Sequence, residues 1–540
     1  MRYITPSILL VGLIIIGAAF RITHLDWGKP FYFHPDERNI ATSIDQLLFP
    51  DQMNPHFFAY GSLPLYLSYF AALLFNLIKN QTWQNDVSFE NAILTLRFFS
   101  SLLSLLLLLL LYSTGKILKN NISGILATIL GTVSVGLIQF AHFGTYEMWL
   151  TYFTLLLFFL SLLYIKTHKR RYLVGIAITF GILISFKISS IILLPLLIMV
   201  IIIEQKSQQK ISIISSIFFI LFTILLSSAI FLSTNPYTFL DYSSFLGSIK
   251  YESSVALGGI RVFYTGEFLS ATPIVFPFLK IYPFLLNPFI VIVFLVSFAY
   301  LFIFAIQRKN IAYMLLIAFF LLLFLSQTFL FTQWTRYFVP TIPFIYLIIA
   351  CALSEYVEHI QMKSKVLISF AVVSFIIGFI FAYSYLQTVL LTPDSRIMAA
   401  EWAKKHLPQN AKIISEVYDL GILPFNSYFP SIKLFNFYDL EETLSKSYDN
   451  TLSNLLKTND YIILPSQRLF KTRVADARNF PKGYEFYTSL ISQPTAYDLL
   501  YQTPCDLYCK ILYLGDPIFA YEQTANIFDR PVVMIYKIKK

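Results

Sequence analysis

Lys166-Thr167-His168-Lys169-Arg170-Arg171 stands between two apolar runs, 148–165 and 172–186, and its reading fixes the fold. A basic block between two bilayer-length stretches is the mark of a loop kept on the cytoplasmic side. Four further clusters repeat the pattern within the first 390 residues: Lys116 with Lys119, Lys206 with Lys210, Arg308 with Lys309, and Lys363 with Lys365. Every second loop is then inside, and the loops between face out. Those outer loops hold the unusual polar residues Asp36, Glu37, Glu147, Lys187 and Arg336. Acidic and basic groups gathered on one face of a polytopic protein predict a reaction or binding site there.

Composition agrees with the class. Of 540 residues, 57% are hydrophobic and 13% charged, and the mean hydropathy is +0.66. A soluble domain carries about 25% charged residues. The net charge of +10 needs no nucleic-acid partner, because the cytoplasmic-loop clusters supply much of it. Of the three cysteines, Cys351 lies in an apolar run. Cys505 and Cys509 are spaced for a disulfide if the tail lies outside the cytosol, two free thiols being the alternative. Arg2 and the apolar Leu9–Phe20 imitate a signal peptide. No small-x-small cleavage site follows, so the segment reads as a retained anchor.

Apolar runs at 4–22, 98–115, 121–141, 148–165, 172–186, 188–203, 211–233, 284–306, 311–331, 337–354 and 366–388 predict about eleven spanning helices. Lys187 marks the outer turn between two of them. Leu63–Ile78 is also apolar. Counting it as a span would invert every later loop and break the charge rule at all five clusters. It reads instead as an interfacial or re-entrant helix, so 23–96 becomes one large external loop. A second external loop, 234–283, carries Asn235-Pro236-Tyr237, Asp241, Lys250-Tyr251-Glu252, Gly258-Gly259 and Arg261. Its Gly, Pro and Ser content predicts a mobile cover rather than packed structure. The expected division is a transmembrane part, 1–391, and a soluble α/β domain, 392–540. In the tail, Asp394 or Ser395 caps a helix through Leu407. Strands are expected at Lys412–Glu416, Tyr461–Leu464 and Val532–Ile538, with a helix over 439–457. An odd number of spans and an inside N-terminus make the tail extracytoplasmic, in a multi-pass protein of the plasma or inner membrane.

The sharpest chemical signal is Phe33-His34-Pro35-Asp36-Glu37-Arg38-Asn39, just after the first span. A wet loop with a helix cap is one reading. The catalytic reading aims one carboxylate into a cavity at the membrane face, to take a proton from an acceptor hydroxyl. Asn54-Pro55-His56 and Tyr60-Gly61-Ser62-Leu63-Pro64-Leu65-Tyr66 follow. His56 and Tyr60 join the substrate-binding candidates, against an ordinary loop-to-helix junction. Arg97 begins the second span on the outer side, where an Arg at a helix end ordinarily snorkels. Glu147 opens the next outward helix end, a position the helix dipole also favours for an acid. Lys187 and Arg336 are two cations near the outer interface, suited to a lipid phosphate. Snorkelling is the competing account of each. No P-loop, CxxC pair, HExxH or Gly-rich dinucleotide motif is present.

In order and side of the membrane, these elements resemble membrane glycosyltransferases of the GT-C fold. They are closest to glycosyltransferase family 39, which contains protein O-mannosyltransferases and the lipid A aminoarabinose transferase. The resemblance rests on Pro35-Asp36-Glu37, Gly61-Ser62-Leu63-Pro64-Leu65-Tyr66 and Arg97-Phe98-Phe99-Ser100, with Lys187 before Leu193-Leu194-Pro195 and Arg336-Tyr337 before Pro340 and Pro343. It implies a GT-C-like helical membrane protein. The partners would be a polyprenyl-phosphate sugar donor, membrane lipid, and a hydroxyl acceptor on protein or a cell-envelope glycolipid. Transfer would be inverting. Asp36 would be the base and Glu37 its support, while Lys187, Arg336 and Arg97 hold the donor phosphate. Glu147 matches a second acidic position. Arg38 directly follows Glu37, whereas the family often carries an Arg-Tyr pair further along, so Arg38 enters only as a substrate-binding candidate. Ser62 stands where the family has Pro. An Asp-x-Asp motif is absent from the first loop, so neither a divalent metal nor another cofactor is expected. Two other classes remain open: a lipid-linked oligosaccharide transferase or ligase, and a non-enzymatic lipid transporter. A transporter would place charges near the bilayer midplane and show inverted repeats, and neither is evident.

Overall fold

The computed structural model describes residues 6–81, 85–208, 213–359, 365–417, 420–437, 440–441 and 446–540, with backbone alone at 263 and 446–450. Arg2, Lys210, Lys363 and part of the helix expected over 439–457 lie outside the described residues. The chain divides into two compact units, 1–25 with 36–260 and 273–382, and 26–35 with 261–272 and 383–540.

The first unit is helical. In chain order it holds α1 (Pro6–Ile22), α2 (Pro35–Asp45), α3 (Leu63–Asn80), α4 (Phe89–Leu118), α5 (Asn121–Thr132), α6 (Val135–Ala141), α7 (Glu147–Thr167), α8 (Arg170–Phe186), α9 (Leu194–Ser207) and α10 (Ile213–Thr234). Then come α11 (Tyr237–Leu240), α12 (Tyr242–Ala256), α13 (Tyr282–Leu286), α14 (Pro288–Gln307), α15 (Ile311–Thr328), α16 (Thr335–Phe338), α17 (Ile342–His359) and α18 (Lys365–Tyr385). Among the described residues, eight helical segments are long and apolar enough to cross a membrane, or nine if the bent pair α5–α6 is one span. At 17 residues each, α1 and α8 fall just short of the roughly 20 that a span ordinarily uses. The chain is a polytopic helical membrane protein.

Three local features differ from the sequence reading. The expected span 121–141 is bent by 61°. The Ser134 hydroxyl accepts from Leu137 N at 3.4 Å and restarts the helix as α6, so the chain leaves α6 in a new direction. α4 begins at Phe89, not near 98, because Ser88 caps it by accepting from Asn91 N at 3.3 Å. The loop 234–283, for which no regular elements are read from sequence, is partly helical. It forms α11 and α12, and Phe331 N and Thr332 N both donate to Ala256 O, at 3.1 and 3.3 Å.

The second unit is built on β1 (Ile413–Glu416), β2 (Ile432–Phe435), β3 (Tyr461–Leu464), β4 (Tyr497–Gln502) and β5 (Met534–Ile538). The sheet order is β2-β1-β3-β5-β4. β1 runs parallel to β2 and β3, and β5 antiparallel to β3 and β4. Side chains alternate across the strands. Ile414, Ile462, Leu464 and Met534 enter one core with Phe470 and Tyr487. Ile413, Ile463 and Ile535 enter another with Ala399, Ala403 and Phe425. The helices are α19 (Ser395–His406), α20 (Leu423–Asn426), α21 (Lys446–Thr458), α22 (Arg468–Ala475), α23 (Pro481–Ser492) and α24 (Leu507–Leu512). Asp394 caps α19, accepting from Arg396 N at 2.9 Å. Cys505 and Cys509 form a disulfide at the start of α24. The unit also takes in two segments from the loops that join the membrane helices, 26–35 and 261–272.

Candidate active site

Pro35 opens α2 and places Asp36 and Glu37 in its first turn. Pro is preorganised there and acids favour the helix dipole. Successive side chains on a helix point about 100° apart, so the two carboxylates go to different partners. Glu37 turns inward. Arg97 donates to it from Nε at 3.0 Å and Nη2 at 2.6 Å, and both side chains are fully buried. Gly144 N adds a bond to Glu37 Oε1 at 2.5 Å, and Arg97 Nη1 donates to Leu25 O at 2.7 Å. A Cβ at Gly144 would lie 2.8 Å from Leu96 Cβ, so only glycine brings this backbone to the carboxylate. Arg97, expected on the donor phosphate, is therefore committed to Glu37 inside the bundle.

Asp36 turns the other way and stays a quarter exposed, as does Arg336 (25% each). Arg336 Nη1 donates to Asp36 Oδ2. Tyr337 follows on α16, and the Lys187 ammonium stands 4.6 Å from its ring centroid. Lys187 caps the C-terminus of α8, at the break before the next apolar segment. Glu147 begins α7 and is 95% buried, its relative exposure being 5%. Its Oε2 has no hydrogen-bond partner among the described residues.

Tyr60 completes the group. Burial pushes its phenol well above the ordinary value; Arg336 opposes the shift, while Asp36 and Glu147 reinforce it. The hydroxyl stays protonated at any ordinary pH. Its ring lies 4.9 Å from that of Tyr146, whose hydroxyl donates to Gly61 O at 3.1 Å. Gly61 is wedged against the end of α8. Gly61 N donates to Phe186 O at 2.9 Å, and a Cβ there would meet Ser185 O at 1.8 Å. Ser62 N donates to Asn235 Oδ1 at 2.6 Å. Loop 54–62, the end of α8 and the start of the second outer loop are thereby tied beside Lys187.

The remaining candidates lie elsewhere. His56 is exposed, 4.0 Å from Asp241, and Asp241 accepts from Asn54 Nδ2 at 3.1 Å. Arg38 stands over the ring of Phe89, 5.1 Å from its centroid. One residue was not singled out from sequence: Glu252, on α12. Burial raises its carboxyl above the ordinary range; Arg336 and Lys187 pull it down and Asp36 pushes it up. It shares the electrostatic neighbourhood of all three. An acid in a Lys-Tyr-Glu triplet of a loop between apolar runs carries no periodic or motif signal.

Asp36, Glu147 and Glu252 thus share a neighbourhood with Arg336, Lys187 and Tyr60. The arrangement offers a carboxylate to accept a proton, two cations to hold an anion and a phenol to donate. Among the described residues no three His, Cys, Asp or Glu side chains are grouped as ligands for a metal ion.

A family model described as dolichyl-phosphate-mannose-protein mannosyltransferase matches residues 63–233. None of the curated proteins matches the chain. Among solved structures, an oligosaccharyltransferase from Archaeoglobus fulgidus with zinc and sulfate is similar, with TM-score 0.53 and 11% identity over 98% of this chain and 88% of that one. The same organism's oligosaccharyltransferase AglB, with an inhibitory peptide and a dolichol-phosphate, gives 0.52 and 10% over 99% and 88%. ArnT from Cupriavidus metallidurans bound to undecaprenyl phosphate gives 0.46 and 11% over 98% and 97%. The chain thus shares the overall architecture of these archaeal oligosaccharyltransferase structures, and its residues 63–233 match the mannosyltransferase family model.

Proposed function

We propose that this protein is an inverting glycosyltransferase that moves one sugar from a polyprenyl-phosphate donor to a hydroxyl acceptor at the extracytoplasmic face of the membrane. The acceptor hydroxyl oxygen attacks the anomeric carbon, and the bond from that carbon to the phosphate oxygen breaks. Asp36 takes the hydroxyl proton, and the polyprenyl phosphate departs with the bonding pair. Negative charge grows on the leaving phosphate, and Arg336 and Lys187 are placed to neutralise it as it grows. Tyr60 can donate to a phosphate oxygen or a sugar hydroxyl. Glu147 reads as a contact for donor or acceptor hydroxyls, since its buried Oε2 needs a donor.

The observation that carries this reading is the contact of Arg336 with Asp36, beside Lys187. Arg336 shields the carboxylate until an anion competes for the guanidinium. A phosphate arriving with its sugar would draw Arg336 toward itself and release Asp36 to act as base. Glu37 and Arg97 then serve as the buried brace of α2 rather than as substrate contacts. The basic inner loops and the tail disulfide support an extracytoplasmic site, since disulfides persist in oxidising compartments. No cofactor and no divalent metal enter the scheme.

The test is turnover by purified protein of a panel of labelled polyprenyl-phosphate sugars, with a pyrophosphate-linked glycan as a separate arm. Transfer from a monophosphate sugar with inversion supports the reading. Transfer from the pyrophosphate arm alone, or none from either, overturns it.

A further inference from the structure

The second unit contains more than the C-terminal domain, because segments 26–35 and 261–272 fold as part of it. The first is heavily aromatic, and Trp27, Tyr32, Phe33 and His34 are all buried. It turns at Gly28 (φ +76), with Phe31 N and Tyr32 N both donating to Gly28 O, at 2.9 and 2.8 Å. Arg396 of α19 lies over the face of Phe33, 3.7 Å from the ring centroid. The guanidinium is fixed in turn by Asp394, through Nε at 2.8 Å and Nη2 at 2.5 Å. The His34 and Phe528 rings are 4.2 Å apart. A planar cation held by a carboxylate and laid on an aromatic face is a rigid clamp. Phe33 is three residues before Asp36, which limits the chain between them to about 10 Å.

The second segment is held as firmly. Lys471 of α22 donates to Glu267 Oε1 and to Tyr521 O, with the Lys471 and Glu267 side chains only 6% and 10% exposed. Gln523 N donates to Glu267 Oε2 at 3.0 Å, and Gln523 Nε2 to Tyr264 O at 2.9 Å. Arg468 stands over Tyr264, 5.2 Å from its ring centroid. This segment follows α12, which carries Glu252.

We propose that Arg396 and Lys471 are positioning residues: they order segments 26–35 and 261–272, and so restrict the chain that runs directly into Asp36 and the chain that follows α12 and its Glu252. The inference rests on the transfer reaction proposed above. Neither residue need touch substrate; each fixes a segment in covalent register with a site residue. A base misplaced by about 1 Å can cost about a hundredfold in rate, so loosening the clamps lowers kcat and leaves the affinity for the donor phosphate nearly as it was.

The test compares full-length wild type with Phe33→Leu, which keeps apolar bulk but loses the ring face, with Glu267→Gln, and with the double variant. Phe33→Tyr keeps the ring and is the rescue control. Hydrogen–deuterium exchange is read on 26–35 and 261–272, binding with a short-chain polyprenyl phosphate, and kcat with whichever labelled donor the wild type turns over. We expect faster exchange in the matching segment, phosphate Kd within twofold of wild type, and kcat reduced about tenfold to a hundredfold in the double variant, with Phe33→Tyr near wild type. Unchanged exchange in both segments, or faster exchange with wild-type kcat, overturns the proposal. If the wild type transfers no sugar from any lipid-phosphate donor, the functional reading fails. The exchange data then judge the clamps alone, and exchange unchanged from wild type in both segments overturns them independently.

Discussion

Arg97 grips Glu37 with two parallel hydrogen bonds, 3.0 Å from Nε and 2.6 Å from Nη2, and neither side chain reaches solvent. Removing one partner of a buried pair leaves an uncompensated charge in a low dielectric and costs about 3–5 kcal/mol. Arg97→Ala is therefore expected to lower the thermal and chemical stability of the detergent-solubilised protein by that order. Glu37→Gln keeps the shape and should cost less. Transfer in both should fall in proportion to folded protein, as befits a brace.

Asp36 predicts the opposite pattern. It is a quarter exposed and its partner Arg336 can meet water. Asp36→Asn should leave expression and unfolding close to wild type while cutting transfer by about 10²–10⁴, the worth of a placed general base. Binding of a polyprenyl phosphate should be retained or tightened, because Arg336 no longer has a carboxylate to satisfy. Wild-type turnover in Asp36→Asn removes this residue from the base role.

Gly61 is the backbone contact that brings the Tyr60 loop to the end of α8. A methyl group there would overlap Ser185 O at 1.8 Å. Gly61→Ala must push the loop off α8, at a cost of about 1–3 kcal/mol for overpacking. Tyr60 and Lys187 would separate. Donor KM should rise more than kcat falls, measured on the folded fraction.

How far the sequence speaks depends on what kind of signal each element sends. Charge clusters and hydropathy locate the helices well, because lipid makes backbone satisfaction and apolar length obligatory. Leu63–Ile78 reads as an interfacial or re-entrant helix from the charge rule, its shortness and its Pro64, Tyr66, Ser68 and Tyr69, and the structure makes it the helix α3. The strands at Ile413–Glu416 and Tyr461–Leu464 are visible because they are central and apolar. β2 and β4 went unread: both lie at the sheet edges, and most of their residues are exposed or only half-buried. The bend at Ser134 left only a Thr-Val-Ser break inside an apolar run. Asp36, Lys187 and Arg336 stood out as charges at helix ends. Glu252 did not, because its electrostatic coupling to Arg336, Lys187 and Asp36 arises only from the folded loop. Arg97 sent the same signal as Lys187, yet the structure buries it against Glu37. Position along a helix names candidates, and burial assigns them.

Glu252 gives the chain a pH signature. Its carboxyl is raised, first by burial, with Arg336 and Lys187 opposing and Asp36 adding to the rise. A raised folded-state pKa means the folded protein holds that proton more tightly than the unfolded chain. The contribution to stability is present below the unfolded value and is lost as pH climbs through the folded one. The window runs upward from the ordinary carboxylate range. Ionisation there adds a negative charge beside the cations meant for phosphate. Binding of polyprenyl phosphate should therefore weaken across that window in wild type. Glu252→Gln should bind more tightly at its upper edge and show a flatter profile. Identical pH profiles for the two proteins would separate Glu252 from the phosphate site.

The disulfide gives the orientation a direct readout. Cys505 and Cys509 are bonded in the second unit, while Cys351 is free and buried in the helical unit. In intact cells a membrane-impermeant thiol reagent should label nothing before reduction and the Cys505–Cys509 pair after it, provided the tail lies outside. Labelling that appears only once cells are permeabilised would put the tail, and with it the charge-derived topology, the other way round. The bond closes a short loop, so replacing both cysteines with serine should cost near the lower end of the usual range, about 2 kcal/mol. That loss should fall on the unfolding of the sheet domain and leave Asp36, Lys187 and Arg336 in place, so turnover per folded molecule stays at the wild-type level.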